Sequence, residues 1–124
     1  MTSNAAQVTV SLVSHGHGTM VWRLLDQVLL FSEVAEVIVT LNIPEALPDL
    51  KDARVRVVHN ATPKGFGANH NAAFSLCQQP FFCVLNPDIE LSQNPFPELL
   101  LSLTPSRVGL VAPRILSASG VNED

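Results

Sequence analysis

Apolar positions in this chain switch between two spacings. Val8–Ser14 (VTVSLVS) is β-branched and ends at His15-Gly16-His17-Gly18, which predicts a strand followed by a turn. Val21, Leu24, Leu25, Val28 and Leu29 then recur at helical spacing, predicting a helix over residues 19–31 with Thr19 as its N-cap. EVIVTL at 36–41 reads as a second strand, 42–53 as a loop carrying Pro44 and Pro48, and 54–58 as a third strand. Residues 60–67 form a turn-rich loop. A second helix is expected over 68–77, buried along Ala68, Ala72, Ala73 and Leu76. Phe81–Leu85 (FFCVL) is unbroken apolar, as expected of a strand covered on both faces, and Asn86-Pro87-Asp88 ends it. A third helix is expected over 95–103 with Asn94 as N-cap and Pro95 in the first turn. A fifth strand is expected over 108–112, stopped by Pro113.

Strands alternating with helices imply a mostly parallel sheet with right-handed crossovers, a three-layer α/β/α arrangement. The domain is expected over 8–116, between a disordered start at 1–7 and a polar tail at 117–124 that should fray. Ligands of such sheets bind beyond the carboxyl ends of the strands, where strand order reverses. That rule selects the loops at 14–18, 41–45, 59–67, 86–90 and 113–114, where polar residues and glycines concentrate.

Composition narrows the class. Of 124 residues, 47% are hydrophobic and 15% charged, with a formal net charge of −4, so the chain is rich enough in apolar residues to fold as one domain. Two Lys and five Arg are scattered and form no basic stripe, which argues against nucleic acid as a partner. No apolar run approaches the roughly 20 residues needed to span a bilayer. The first seven residues lack the charge and apolar core of a signal peptide, so the expected location is the cytoplasm. Cys77 and Cys83 could pair, but without a secretion signal they are expected to be reduced and buried.

Three segments carry candidate chemistry. In Asn86-Pro87-Asp88-Ile89-Glu90, a carboxylate at the end of a buried strand can hold a hard divalent cation, which in turn grips a diphosphate; the plainer reading is an Asn-Pro turn with two solvated acids. In Lys64-Gly65-Phe66-Gly67, followed by Asn69 and Asn71, glycines permit close backbone approach and a helix start offers N–H groups to anions. The plainer reading there is a flexible loop and a helix cap. His15-Gly16-His17-Gly18 could contact a ligand at the end of the first strand, though two histidines alone make a poor metal site. His59 and His70 stand alone and suggest no role.

The order of these pieces resembles the family 2 glycosyltransferases with a GT-A fold, especially the rhamnosyltransferase-like branch. The resemblance runs over about 8–121. It rests on Asn60-x-x-x-Lys64-Gly-Phe-Gly-Ala-Asn-x-Asn71, then Val84-Leu-Asn-Pro-Asp-Ile-Glu-Leu91, then Val108-Gly-Leu-Val-Ala-Pro-Arg-Ile115. It implies a sheet order of 3-2-1-4. It implies that Asp88 ligates Mg²⁺ or Mn²⁺ and through it the donor diphosphate. Ser14, His15, Asn42, Lys64, Gly65, Phe66, Gly67, Asn71 and Asn86 would line the nucleotide-sugar pocket. The donor implied is a UDP- or dTDP-linked sugar and the acceptor a saccharide or a lipid-linked one, with inversion at the anomeric carbon and a role in polysaccharide biosynthesis.

The chain also departs from that pattern. The family usually carries Asp-Asn-x-Ser after the second strand, with the Asp reading the base; here the segment is Leu41-Asn42-Ile43-Pro44. No residue present is a credible catalytic base, which the resemblance places downstream of this chain. The expectation is therefore a donor-binding part of a transferase, with membrane association of the full enzyme compatible with the resemblance. Apolar surface left exposed should favour self-association into a homodimer. Two alternatives stay open: a non-catalytic nucleotide-binding or interaction module of the same fold, and an unrelated flavodoxin-like domain. The second lacks the Ser/Thr-rich anion loop it would need after the first strand.

Overall fold

The structure is a computed structural model that describes residues 6–103, 115–116 and 122–123. Its elements in chain order are β1 (Val8–Ser14), α1 (Thr19–Leu29), β2 (Val34–Leu41), β3 (Val55–His59), α2 (Phe66–Leu76), β4 (Phe81–Leu85), α3 (Phe96–Leu103), β5 (Ile115–Leu116) and β6 (Asn122–Glu123). The backbone gathers into two compact units, Met1–Glu90 and Leu91–Asp124.

The first unit holds a four-stranded, all-parallel sheet in the order β3-β2-β1-β4, the expected 3-2-1-4 arrangement. β1 lies between β2 and β4, with Ser14 opposite Leu41 and Leu12 opposite Leu85. The crossover through α1 moves outward from β1, and the one through α2 returns from β3 to β4. Right-handed connections therefore put the two helices on opposite faces of the sheet. β1 and β2 are buried along nearly their whole length, including the polar Thr9, Ser11 and Thr40, because both their faces are covered. The buried hydroxyls have partners: Thr9 donates to Glu36 Oε1 at 2.9 Å, and Ser11 Oγ lies 2.8 Å from His70 Nδ1 on α2. Among the described residues no buried side-chain N or O atom lacks a hydrogen-bond partner.

α1 buries Val21, Leu24, Leu25 and Val28 of the stripe its spacing predicts, and leaves Leu29 half-buried. Its cap is Gly18 rather than Thr19. Gly18 sits at φ 60°, a conformation that favours glycine, and its carbonyl accepts from Val21 N at 3.0 Å while no side chain caps the helix. At the other end the Arg54 guanidinium donates to the Leu29 carbonyl at 2.9 Å and is held by Asp52 at 2.7 Å. A cation there suits the negative end of a helix.

α2 departs most from its sequence pattern. It begins at Phe66, two residues early, so Phe66 and Gly67 belong to its first turn. Its buried residues are Asn69, His70 and Ala73, whereas Ala68 and Ala72 are exposed and Leu76 is 36% exposed. The apolar spacing misleads here because Asn69 and His70 find partners deep in the fold, whereas Phe74 meets Phe82 edge-on at 5.2 Å and stays 60% exposed. β4 differs too: only Cys83 and Leu85 are buried, because among the described residues this strand is paired on one side alone, with β1. Cys77 and Cys83 are both free thiols.

In the second unit, α3 opens as its sequence predicts, with Asn94 Oδ1 accepting from Phe96 N at 3.0 Å. β5 and β6 pair antiparallel, so Asn122–Glu123 of the polar tail take part in a ladder. The strand expected over 108–112 and the start at 1–5 lie outside the described residues.

Candidate functional site

Parallel strands deliver their loops to one edge. The loops after β1, β2, β3 and β4 meet at the carboxyl end of the sheet, and the order reverses between β1 and β4. A cleft of about 480 Å³ opens there. Of the expected site residues, His15, Asn42, Lys64, Phe66, Asn86 and Asp88 line it. Ser14, Gly65, Gly67 and Asn71 do not. Ser14 is fully buried at the end of β1, and Asn71 is exposed on α2. His17, Asn69 and His70 line the cleft as well.

Asn42 organises one wall. Its Oδ1 accepts from Lys64 N at 2.7 Å and from Asn60 Nδ2 at 2.9 Å, and its Nδ2 donates to the Lys64 carbonyl at 3.0 Å. Asn60 Nδ2 also donates to Asn69 Oδ1 at 2.7 Å, and Asn69 Nδ2 donates back to the Lys64 carbonyl at 3.2 Å. Asn42 and Asn69 thus clamp the backbone of Lys64, and Asn60 ties the two amides to each other. The clamp fixes the start of α2, whose first N–H groups precede any intrahelical partner. Lys64 is the one cation among the residues lining the cleft, and Asp88 the one carboxylate.

The same Asn42 Nδ2 lies 2.9 Å from His15 Nδ1, and His15 N donates to His17 Nδ1 at 2.9 Å. Both rings use Nδ1 as an acceptor, so each neutral imidazole carries its proton on Nε2. On the floor, His70 packs edge-on against Phe66, with ring centroids 4.5 Å apart. Burial lowers the pKa of His70 below its ordinary value. Phe66 itself is 64% exposed, an aromatic face beside the cleft.

Gly65 and Gly67 are instructive by what surrounds them. Neither has positive φ, and a Cβ at either would meet nothing within 4 Å. Nothing inside the fold demands glycine at these two positions. The open space lies beside Lys64, at the helix start.

The position that departs from the expected acid, Leu41, is 1% exposed and pairs with Ser14 and His59 in the sheet. Its side chain belongs to the core, and the loop's contribution to the cleft comes from Asn42. A second recess, of about 430 Å³, shares His17 and Asp88 with the cleft and adds Arg23 and Glu90.

Among the described residues no three His, Cys, Asp or Glu side chains cluster as a metal site. A single carboxylate at the cleft still fits a hard cation of the Mg²⁺ kind, which is commonly held by one or two carboxylates plus substrate phosphates and water. Asp88 is exposed and free to serve as that one protein ligand.

His70 suggested no role in the sequence and Asn69 stood out only beside the helix start, because neither belongs to an apolar pattern. The signal that could have found them is their place one turn into a helix that starts at the carboxyl edge. The Phe66–His70 spacing of four puts both on one face.

A parallel 3-2-1-4 sheet with a cleft at its switch point is an α/β architecture of the kind whose ligands bind at the carboxyl edge of the sheet. Residues 14–124 match the sequence pattern of glycosyl transferase family 2, which covers well over half of the chain, and the protein belongs to that family. No curated protein matches it. Among the described residues no helix is long and apolar enough to cross a membrane.

Proposed function

We propose that this chain is the donor-binding part of a family 2 glycosyltransferase of the rhamnosyltransferase-like branch. It takes a nucleoside diphosphate sugar, UDP- or dTDP-linked, and serves inverting transfer to a saccharide or lipid-linked acceptor. The observation that carries this reading is the meeting of Lys64, Asp88 and the exposed Phe66 ring in one cleft at the sheet's switch point. Phe66 offers a face on which a base can stack. Lys64 and the start of α2 offer charge and N–H groups to phosphate oxygens. The open space at Gly65 and Gly67 lets such a ligand approach the backbone.

Asp88 would hold Mg²⁺ or Mn²⁺, which supplies Lewis-acid stabilisation to a departing diphosphate. In the transfer, an acceptor hydroxyl oxygen bonds to the anomeric carbon. The bond from that carbon to the diphosphate oxygen breaks, and the nucleoside diphosphate leaves with the electron pair. The acceptor proton goes to a base, a role assigned to none of the described residues. Exposed Phe74 and Leu76 on α2 support self-association as part of the same reading.

The test is calorimetric titration with UDP, dTDP, ADP and GDP, each with and without Mg²⁺. The reading expects metal-dependent binding of UDP or dTDP, abolished by Asp88→Ala. Binding that ignores both the metal and Asp88 would favour a nucleotide-binding module without transfer chemistry.

A further inference from the structure

We propose that Glu45 is a positioning residue of the cleft. Its carboxylate fills a ring of donors at the end of β1, sets the His15–Gly18 loop, and leaves the donor diphosphate to Lys64 and Asp88 rather than to the start of α1. The inference rests on the cleft being a nucleoside-diphosphate site and names where in it the diphosphate goes.

The ring is explicit. Ser14 Oγ donates to Glu45 Oε2 at 2.6 Å and Gly16 N donates to the same oxygen at 3.0 Å. Gly18 N donates to Oε1 at 3.2 Å. Gly16 and Gly18 are the two described residues with positive φ, at 75° and 60°. Successive N–H groups turned inward by such a backbone form a concavity that attracts anions. Here the anion is internal, sent from the β2–β3 loop some thirty residues on, as the separation of 31 between Ser14 and Glu45 records.

The consequence passes directly to the cleft. A loop with two glycines has many backbone states open to it, so its shape must be set by partners. Ser14 Oγ, while donating to Glu45, accepts from His17 N at 3.3 Å. His17 Nδ1 then accepts from His15 N, and His15 Nδ1 meets Asn42. The carboxylate therefore holds the loop whose two imidazoles line the cleft. Its charge also repels a diphosphate from the start of α1, while Lys64 attracts one across the cleft. Gly16 is closely fitted as well: a Cβ there would lie 3.1 Å from Ile43 Cδ1, two residues before Glu45.

The experiment compares wild type, Glu45→Ala and Glu45→Gln by amide chemical shifts, with sodium formate, inorganic pyrophosphate and UDP–Mg²⁺ as probes. In wild type, formate should leave Gly16 and Gly18 unmoved, and pyrophosphate should move Lys64 and Gly65 instead. In Glu45→Ala, formate should shift Gly16 and Gly18 saturably as it enters the emptied ring. UDP–Mg²⁺ should bind about tenfold more weakly, with partial recovery in formate. Glu45→Gln, which keeps one acceptor oxygen, should fall between the two. Pyrophosphate shifts at Gly16 and Gly18 in wild type would overturn the proposal. So would an Ala variant that ignores formate or binds UDP–Mg²⁺ as wild type does. Collapse of amide dispersion at Val10 and Val37 in both variants would make Glu45 a folding residue and overturn it too. If wild type binds no nucleotide while the Ala variant still takes formate, the donor reading fails and Glu45's hold on the loop stands.

Discussion

Asn42 holds Lys64 by both halves of its backbone: the Lys64 N–H reaches Oδ1 at 2.7 Å, and Nδ2 reaches the Lys64 carbonyl at 3.0 Å. The contact joins the end of β2 to the loop before α2, 22 residues later in the chain. Asn42 is 6% exposed, so its loss cannot be made good freely by water. Asn42→Ala leaves the Lys64 N–H without its acceptor and Asn60 Nδ2 with Asn69 Oδ1 alone. It should cost about 1–3 kcal/mol in urea unfolding and weaken nucleotide binding by loosening Lys64. Unchanged stability would mean that the clamp does not hold the loop. Asn42→Asp keeps the acceptors but sets a carboxylate against the Lys64 carbonyl, and should not restore the wild-type midpoint.

Gly67 separates folding from binding. It lies in the first turn of α2 with open space where a Cβ would go. Gly67→Ala should leave stability unchanged or raise it by up to about 1 kcal/mol, since glycine is a poor helix residue. If the space is kept for a ligand, the same variant should bind UDP–Mg²⁺ more weakly. A variant that is both more stable and equally avid would show that the glycine has no ligand to admit.

His70 gives the fold a pH dependence. Burial lowers its pKa from the ordinary 6.5, so the folded state refuses a proton that the unfolded chain accepts. Unfolding then takes up protons, and stability falls as pH drops. Its contribution is complete above the unfolded value and is lost below it, down through the depressed folded value. Urea midpoints at about pH 7.5 and about pH 5.5 should show a larger acid loss for wild type than for His70→Gln, which cannot titrate. Equal losses would place the acid sensitivity elsewhere.

The two thiols should differ in reactivity. Cys83 is 7% exposed on β4 and burial pushes its thiol up to about 12, so little thiolate is present near neutrality. Cys77, half-buried after α2, donates weakly to the Gln79 carbonyl at 3.4 Å. A disulfide reagent should label Cys77 in the native protein and reach Cys83 only on unfolding. Equal native labelling would show that β4 opens readily.

The sheet was legible because β-branched runs separated by turns fix strands wherever both faces are buried. Val8–Ser14 and the 36–41 run are of that kind, and the motif order supplied the 3-2-1-4 sequence of strands. The start of α2 was not legible, since Gly65-Phe66-Gly67 has the composition of a turn while Phe66 already lies in the helix. Nor were the partners of the polar residues. His70 is buried because Ser11 waits 59 positions earlier, and Asn69 because Asn60 and Lys64 meet it. The rule of carboxyl ends selected the 41–45 loop, yet nothing in Ile43-Pro44-Glu45 announces that its acid will turn back to Ser14. Local pattern encodes which face is apolar. Contacts between distant polar groups are settled only when the loops are brought to one edge.

The most direct measurement is the map of amide shifts produced by UDP and by dTDP in Mg²⁺, repeated with Asp88→Ala. Saturable shifts at His15–His17, Lys64–Asn69 and Asn86–Asp88, lost in the variant, are the predicted result. No saturable response to either nucleotide with metal, or shifts confined to residues outside the cleft, would contradict the account.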